Sequence, residues 1–263
     1  MRLVRHGSPQ PVVLWTGDFP GDKRFLNRHQ HVHNRRADAH SERIYKSMQL
    51  TEQERTIIAA RVAALEARTG TQLVTAVVGK SDSYPEAPWK AFALGAAISA
   101  LACVFWQLAA HGWSAESPET GHVLVILASG AFLALLAILY PPFARLFVDR
   151  IRREVEVTQF AQSLFFRRGL DRTRRRVGIL LLVSLFERKV MILVDEGFDG
   201  RVDAHDWDAM TRRITLLLRH GTTTNALRAG LEAMEAMLLE RGYAGTVTVN
   251  ELPDAPLDWK DER

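Results

Sequence analysis

Acidic residues cluster in a short Gly-containing segment of the second half of the chain. Asp195, Glu196 and Asp199 follow an apolar run, and Asp203 comes shortly after them. Carboxylate oxygens are the ligands that Ca²⁺ and Mg²⁺ prefer, so the first three acids form a candidate cation site. The alternative is a solvated turn whose acids favour the N-terminus of the next helix through its dipole. Two glycines are expected to permit positive φ angles in this turn: Gly197 and Gly200.

A basic segment precedes this acidic turn. It contains Arg172, Arg174, Arg175 and Arg176, after an earlier Arg pair at 167–168. These side chains could bind a phosphate group or the anionic leaflet of a membrane, at about 1 kcal/mol per residue near the surface. The alternative is a solvated loop whose charges face water, and the sequence does not decide between the two.

No established catalytic motif accompanies these charges. The sequence has no Walker motif, no GxSxG and no HExxH. Cys103 is the only cysteine, which excludes disulfide frameworks and cysteine-ligated metal sites. His29, His31 and His33 alternate and could chelate a metal if extended, but without acidic partners a disordered basic leader is favoured.

The chain also contains two long apolar runs, which lie before these charged segments in the sequence. The run 91–110 and the run 123–140 contain no charged residue. At the helical rise of about 1.5 Å per residue, each would span the hydrocarbon core of a bilayer. They predict a transmembrane helical hairpin. Its two helices offer small side chains for close packing: Gly95, Ser99 and Cys103 on the first, and Gly130, Ala134 and Ala137 on the second.

The charges that flank the hairpin predict its orientation. The connecting loop 111–122 has no Lys or Arg, whereas Lys80 and Lys90 precede the first run and four arginines follow the second between 145 and 153. The positive-inside rule therefore predicts an inner-membrane protein with two spans, whose globular domain and both termini are cytoplasmic. The predicted partners are the lipid bilayer and another membrane protein.

The remaining sequence divides around the hairpin. We expect a disordered basic leader over 1–47, domain segments over 48–88 and 144–242 around a hairpin region 89–143, and a flexible tail over 243–263. The leader holds nine Lys/Arg against four Asp/Glu, so the other residues have a net charge of −1. The basic balance is therefore no argument for nucleic-acid binding by the folded part.

The domain segments alternate helices and strands. Thr51 and Glu54 fit a capping box, and the following helix should end at Gly70. Apolar runs predict strands at 73–78, 177–185 and 190–194, of which the last two are close enough to form an antiparallel hairpin. The helix between the first two strands favours a parallel pair, so the sheet is expected to be mixed. With helices on both faces of this sheet, the sequence predicts a three-layer α/β/α sandwich that the membrane hairpin interrupts.

Residues in both domain segments resemble the TPM domain, a family named for a thylakoid-lumen protein, a photosystem II repair protein and a nematode receptor modulator. The similarity spans roughly residues 50–240. The resemblance implies an α/β/α sandwich and, for some relatives, acid phosphatase activity or bound divalent cations. It rests on Glu66, Thr69, Gly70, Ala161, Phe166, Thr173, Arg176, Gly178, Ile179, Leu180, Glu187, Arg188, Asp195 and Gly197.

Two functions follow from these observations. The favoured one is a membrane-anchored TPM-like domain that acts by binding, as an accessory or assembly factor for another membrane protein. The alternative is a metal-assisted, acid-phosphatase-like hydrolase that uses Ca²⁺ or Mg²⁺ at the acidic turn. The resemblance transfers no catalytic set, because the hairpin splits the domain.

Overall fold

A computed structural model describes residues 13–18, 50–111, 119–245 and 256–258. The histidines at 29, 31 and 33, most of the leader and the tail around residue 249 lie outside these ranges. The described chain forms two compact units. One contains residues 82–153, and the other contains the remaining described segments.

The larger unit is built on a five-stranded mixed sheet with the order β1-β4-β3-β2-β5. β2 and β3 are parallel, and β3 and β4 are antiparallel, as the sequence predicts. Their pairing runs without interruption from Gln72↔Gly178 to Val78↔Ser184 and from Ile179↔Val194 to Ser184↔Lys189. The strands are β1 Val13–Asp18, β2 Gln72–Val78, β3 Gly178–Ser184, β4 Lys189–Val194 and β5 Leu257–Asp258.

Helices cover both faces of the sheet, so the predicted three-layer sandwich is confirmed. α1 (Glu52–Thr69), α5 (Ala204–His220) and α6 (Thr223–Glu240) share one apolar core with alternate strand residues. α4 (Arg150–Arg167) packs on the opposite face against the intervening strand residues. Every residue of β2, β3 and β4 is buried, which explains why these strands read as continuous apolar runs.

Local signals place α1 and the β3–β4 turn as predicted. Thr51 and Glu54 form the capping box, and Gly70 ends α1 with φ of 69°. Glu187 stabilises the turn, since Ser81 N donates to its Oε1 at 2.9 Å and the Ser184 hydroxyl binds its other oxygen.

Each chain end contributes a short strand where the structure describes it, within segments for which the sequence predicts no strand. Residues 13–18 form β1, which pairs antiparallel with β4 from Val13↔Val194 to Asp18↔Lys189. In the tail, Leu257 and Asp258 pair parallel with β2. Each segment is too short to show a sustained period, and the exposed edge of an existing sheet determines its conformation.

The smaller unit contains α2 (Glu86–His111) and α3 (Glu119–Leu139), followed by a single helical turn at Pro141–Ala144 and a 3₁₀ turn at Arg145–Phe147. Two stretches, of 24 residues in α2 and 20 residues in α3, are long and apolar enough to cross a bilayer. Only 11% of an 18-residue apolar stretch is buried in each helix, whereas the core helix of a soluble protein is mostly buried.

Small residues bring α2 and α3 together, in line with the predicted ridges. A Cβ on Gly95 would lie 2.7 Å from the Ser129 carbonyl oxygen and 3.1 Å from Gly130 Cα. The Ser99 and Ser129 hydroxyl oxygens are 2.6 Å apart. These contacts require glycine at 95 and let two hydroxyls satisfy each other inside an apolar pair.

Polar contacts join the residues before α2 and at its start to those that follow α3. Arg152 Nε lies 3.1 Å from Glu86 Oε1, and its Nη2 lies 3.4 Å from Asp82 Oδ2. The Lys90 ammonium donates to the Phe147 carbonyl oxygen at 3.0 Å. The residues after α3 therefore fold back along the start of α2.

Candidate functional site

The predicted acidic and basic residues meet at one end of the β3–β4 pair. Because these strands are antiparallel, the residues that enter β3 lie beside those that leave β4. Asp195 N donates to the Gly178 carbonyl oxygen at 3.0 Å, and Gly197 N donates to the Arg176 carbonyl oxygen at 2.8 Å. The fold thus joins two segments that the sequence analysis treated separately.

Arg176 is the centre of this cluster. Its guanidinium lies 3.1 Å from Asp195 Oδ1 and 3.0 Å from Glu196 Oε1, and it also donates to the Asp171 carbonyl oxygen. The residue has φ of 55°, a left-handed conformation that costs a non-glycine residue about 1–2 kcal/mol. Three polar contacts hold the side chain in place despite that cost.

Asp195 is the most deeply buried acid of the cluster, with 2% of its surface exposed. Burial raises the pKa of its carboxyl group above the ordinary value of 3.8. The hydrogen bond from Glu196 N and the charge of Arg176 oppose this rise, whereas Glu196 and Asp171 add to it. Asp195 Oδ2 is buried and accepts no hydrogen bond from the described residues.

Two further oxygens of the basic segment share this property. Asp171 Oδ1 and Thr173 Oγ1 are buried without a hydrogen-bond partner among the described residues. Asp171 lies in a turn closed by Arg172 N donating to the Gly169 carbonyl oxygen at 2.9 Å, and Thr173 begins the next turn, closed by Arg176 N donating to its carbonyl oxygen at 3.0 Å. Asp171 was not predicted as a site residue, because its sequence neighbours gave no sign that β4 would bring Asp195 within electrostatic range.

Gly197 is required for a different reason than the one predicted. It does not have a positive φ, whereas Gly200 does, at 74°. A Cβ at position 197 would lie 2.4 Å from the Arg176 carbonyl oxygen and 2.8 Å from that of Arg175. The Tyr243 hydroxyl donates to the Gly197 carbonyl oxygen at 2.8 Å. Gly197 is therefore held through its N–H by Arg176 and through its carbonyl oxygen by Tyr243.

The three acids predicted to bind a cation are only partly brought together. Asp195 and Glu196 share Arg176, whereas the exposed Asp199 closes the next turn by donating its N–H to the Glu196 carbonyl oxygen at 2.9 Å. Asp203 N donates to Asp206 Oδ2 at the start of α5. Across residues 13–18, 50–111, 119–245 and 256–258, no group of three His, Cys, Asp or Glu side chains is arranged to hold a metal ion. Cation binding here stays a prediction.

The four arginines predicted to bind an anion divide into two sets. Arg176 is turned towards the acids, whereas Arg174 and Arg175 are exposed, and the side chain of Arg172 is 84% exposed. The exposed arginines can meet an external anion without breaking the Arg176 contacts. Anion binding by these three residues is likewise still a prediction.

Comparison with known families supports the resemblance drawn from the sequence. The model of the TPM domain, also called TPM phosphatase, matches residues 143–237, which begin just after α3. The resemblance is therefore confirmed over that part of the chain. No curated protein matches the chain.

One solved structure is similar to this one. It is the NMR structure of the BA42 protein from the psychrophilic bacterium Bizionia argentinensis, with 16% sequence identity and a TM-score of 0.47. The similarity covers 80% of this chain and 94% of that chain.

Proposed function

We propose that this protein spans the inner membrane twice and holds its TPM-like domain at the cytoplasmic face, where it acts by binding as an accessory or assembly factor for another membrane protein. The observation that carries the proposal is the apolar, largely unburied surface of α2 and α3. Such a surface is stable when lipid covers it. The Lys/Arg asymmetry around the hairpin supports the cytoplasmic placement of the domain.

Binding is favoured over hydrolysis by the chemistry of the charged cluster. Arg176 already forms ion pairs with Asp195 and Glu196, and this positive charge beside both carboxylates disfavours a cation there. Arg172, Arg174 and Arg175 are exposed, unlike Arg176. Their positive charges suit an acidic segment on a partner protein.

Site-specific cross-linking in cells tests the binding proposal. A photo-reactive residue at Arg174 should cross-link to a membrane protein, and the same residue at the exposed Arg213 on α5 is the matched control. The cross-link should disappear when Arg172 and Arg175 are changed to Glu. Equal cross-linking from both positions, or none from Arg174, would contradict the proposed surface.

The alternative, metal-assisted phosphatase activity, is favoured by one observation. Asp195 Oδ2, Asp171 Oδ1 and Thr173 Oγ1 are buried acceptors without partners among the described residues, and carboxylate oxygens are suitable ligands for Ca²⁺ or Mg²⁺. Such an ion could polarise a phosphoryl oxygen or lower the pKa of a bound water.

Two measurements on the purified full chain separate the candidates. Hydrolysis of p-nitrophenyl phosphate is measured with chelator and with millimolar Ca²⁺ or Mg²⁺, for the wild type and Asp195→Asn. Binding without catalysis predicts no cation-dependent turnover. Thermal melts under the same conditions detect binding of the ion. A ligand that binds only the folded state raises the free energy of unfolding by about 2.7 kcal/mol at a hundredfold excess over Kd. Turnover and a melting shift that both vanish in Asp195→Asn would establish the alternative.

A further inference from the structure

We infer that residues 145–151 form an interfacial anchor that lies in the headgroup region of the cytoplasmic leaflet. Leu146 and Ile151 would enter the boundary with the acyl chains, and neighbouring arginines would meet lipid phosphates. The inference rests on the proposed function, because it requires the hairpin to be in a bilayer. It adds a second membrane contact, made by residues outside both spans.

The exposure of two aliphatic side chains is the first observation. Leu146 is 77% exposed and Ile151 is 78% exposed, more than Trp89 at 72% and more than any other large apolar side chain described in α2 and α3. A single exposed aliphatic residue needs no explanation. Here, two occur within one short segment directly after a candidate span.

Contacts within the hairpin unit fix the depth of this segment. The Lys90 ammonium donates to the Phe147 carbonyl oxygen at 3.0 Å and lies 3.9 Å from Asp149. Lys90 is the last charged residue before the apolar run of α2. Phe147 therefore lies at the level where that run begins, which is the border of the hydrocarbon core.

The next contacts show the direction of the segment. Arg152 lies beside Glu86 and Asp82, and Glu86 is one helical turn, about 6 Å, before Lys90 along the axis of α2. The residues between Phe147 and Arg152 thus run outwards from the border of the core through about one turn of depth. This range is the interfacial layer, where amphipathic helices lie with their apolar faces turned towards the acyl chains.

Charge and aromatic residues fit the same location. Arg150 is exposed, and Arg145 and Arg153 are partly exposed, so cationic side chains alternate with Leu146 and Ile151. Basic residues beside apolar ones are typical of segments that bind anionic lipid surfaces. Trp89 at the start of α2 provides the aromatic ring expected at a membrane interface.

Depth-dependent quenching in vesicles tests the anchor on the full chain. Single cysteines replace Leu146 or Ile151 in a Cys103→Ala background and carry an environment-sensitive fluorophore. The protein is reconstituted into vesicles of zwitterionic and anionic phospholipid that contain a nitroxide either near the headgroup or deep in the acyl chains. We expect several-fold stronger quenching by the shallow nitroxide, and a decrease when Arg150 and Arg153 are changed to Gln.

Two reference positions make the result decisive. Phe132→Cys, an exposed position near the centre of the α3 span, should be quenched by the deep nitroxide, and Leu216→Cys, an exposed apolar position on α5, should be quenched by neither. Quenching at Phe132 with none at 146 or 151 overturns the anchor and leaves the spanning hairpin intact. No quenching at Phe132 overturns the proposed membrane function and the anchor with it. Quenching at Leu216 as strong as at 146 and 151 would show that the fluorophore itself partitions into lipid, and would also overturn the anchor.

Discussion

Arg176 Nη2 lies 3.1 Å from Asp195 Oδ1, and this ion pair joins the turn that enters β3 to the turn that leaves β4. The carboxylate is buried, whereas 26% of the arginine side chain is exposed. The pair therefore links a buried carboxylate to a partly exposed guanidinium, and we expect removal of either partner to have a different effect on stability.

We expect Arg176→Met to lower the free energy of unfolding by about 2 kcal/mol or more, because it leaves the Asp195 carboxylate buried without its counter-charge. The corresponding fall in melting temperature is about 5 °C for a chain of this size. Thermal unfolding of the detergent-solubilised full chain measures it. Asp195→Asn is the matched control and should cost less, since it removes the charge itself. A larger loss in Asp195→Asn would contradict this assignment.

The pH dependence of stability should report Asp195. Because burial raises the pKa of this carboxyl group, the folded chain keeps its proton at pH values where the unfolded chain has lost it. As the pH rises from 3.8 to the raised folded value, the wild type should therefore lose stability relative to Asp195→Asn. Melting temperatures of both proteins across this window test the sign. A wild-type advantage that grows with pH would mean that the pKa is lowered instead.

The edge strand β1 yields a third prediction. A chain that starts at Met48 lacks the six residues that pair with β4, so it should melt several degrees lower and aggregate more readily through the uncovered edge. Deletion of residues 1–12 keeps β1 and is the control. If both deletions melt like the full chain, β1 contributes nothing to the stability of the sheet.

The sequence predicted those elements whose signals are local. The Thr51–Glu54 cap, the uncharged spans and the short β3–β4 connection each lie within a few residues, and all agree with the structure. The sequence did not predict β1 and β5, because both depend on a sheet edge supplied by distant residues.

The candidate site was predicted in composition but not in pairing. Arg176 was grouped with its exposed neighbours Arg174 and Arg175, since adjacent arginines look alike until the register of β3 with β4 points one of them at Asp195. Gly197 was assigned a positive φ, whereas the approach of the Arg176 carbonyl oxygen is what excludes a side chain there. Both errors come from contacts between segments that are distant in sequence.

Packing of the hairpin gives a fourth prediction. Cysteines at Ser99 and Ser129, in a Cys103→Ala background, should form a disulfide readily, because the two hydroxyl oxygens are 2.6 Å apart. Gly95→Val should slow this reaction at least several-fold, since its Cβ would meet the Ser129 carbonyl oxygen at 2.7 Å. Gly121→Ala, which has nothing within 4 Å of its Cβ, should leave the rate unchanged. Equal rates in all three proteins would contradict the close crossing.

The central claim, a hairpin that spans the membrane with the domain in the cytoplasm, is tested most directly by thiol labelling in intact cells. Single cysteines are placed at Ser114, in the loop between the spans, and at Ser163, an exposed position on α4, in a Cys103→Ala background. A membrane-impermeant reagent should label position 114 in intact cells, and position 163 only after permeabilisation. Labelling of 163 but not 114 in intact cells would reverse the orientation, and equal labelling of both would contradict a spanning hairpin.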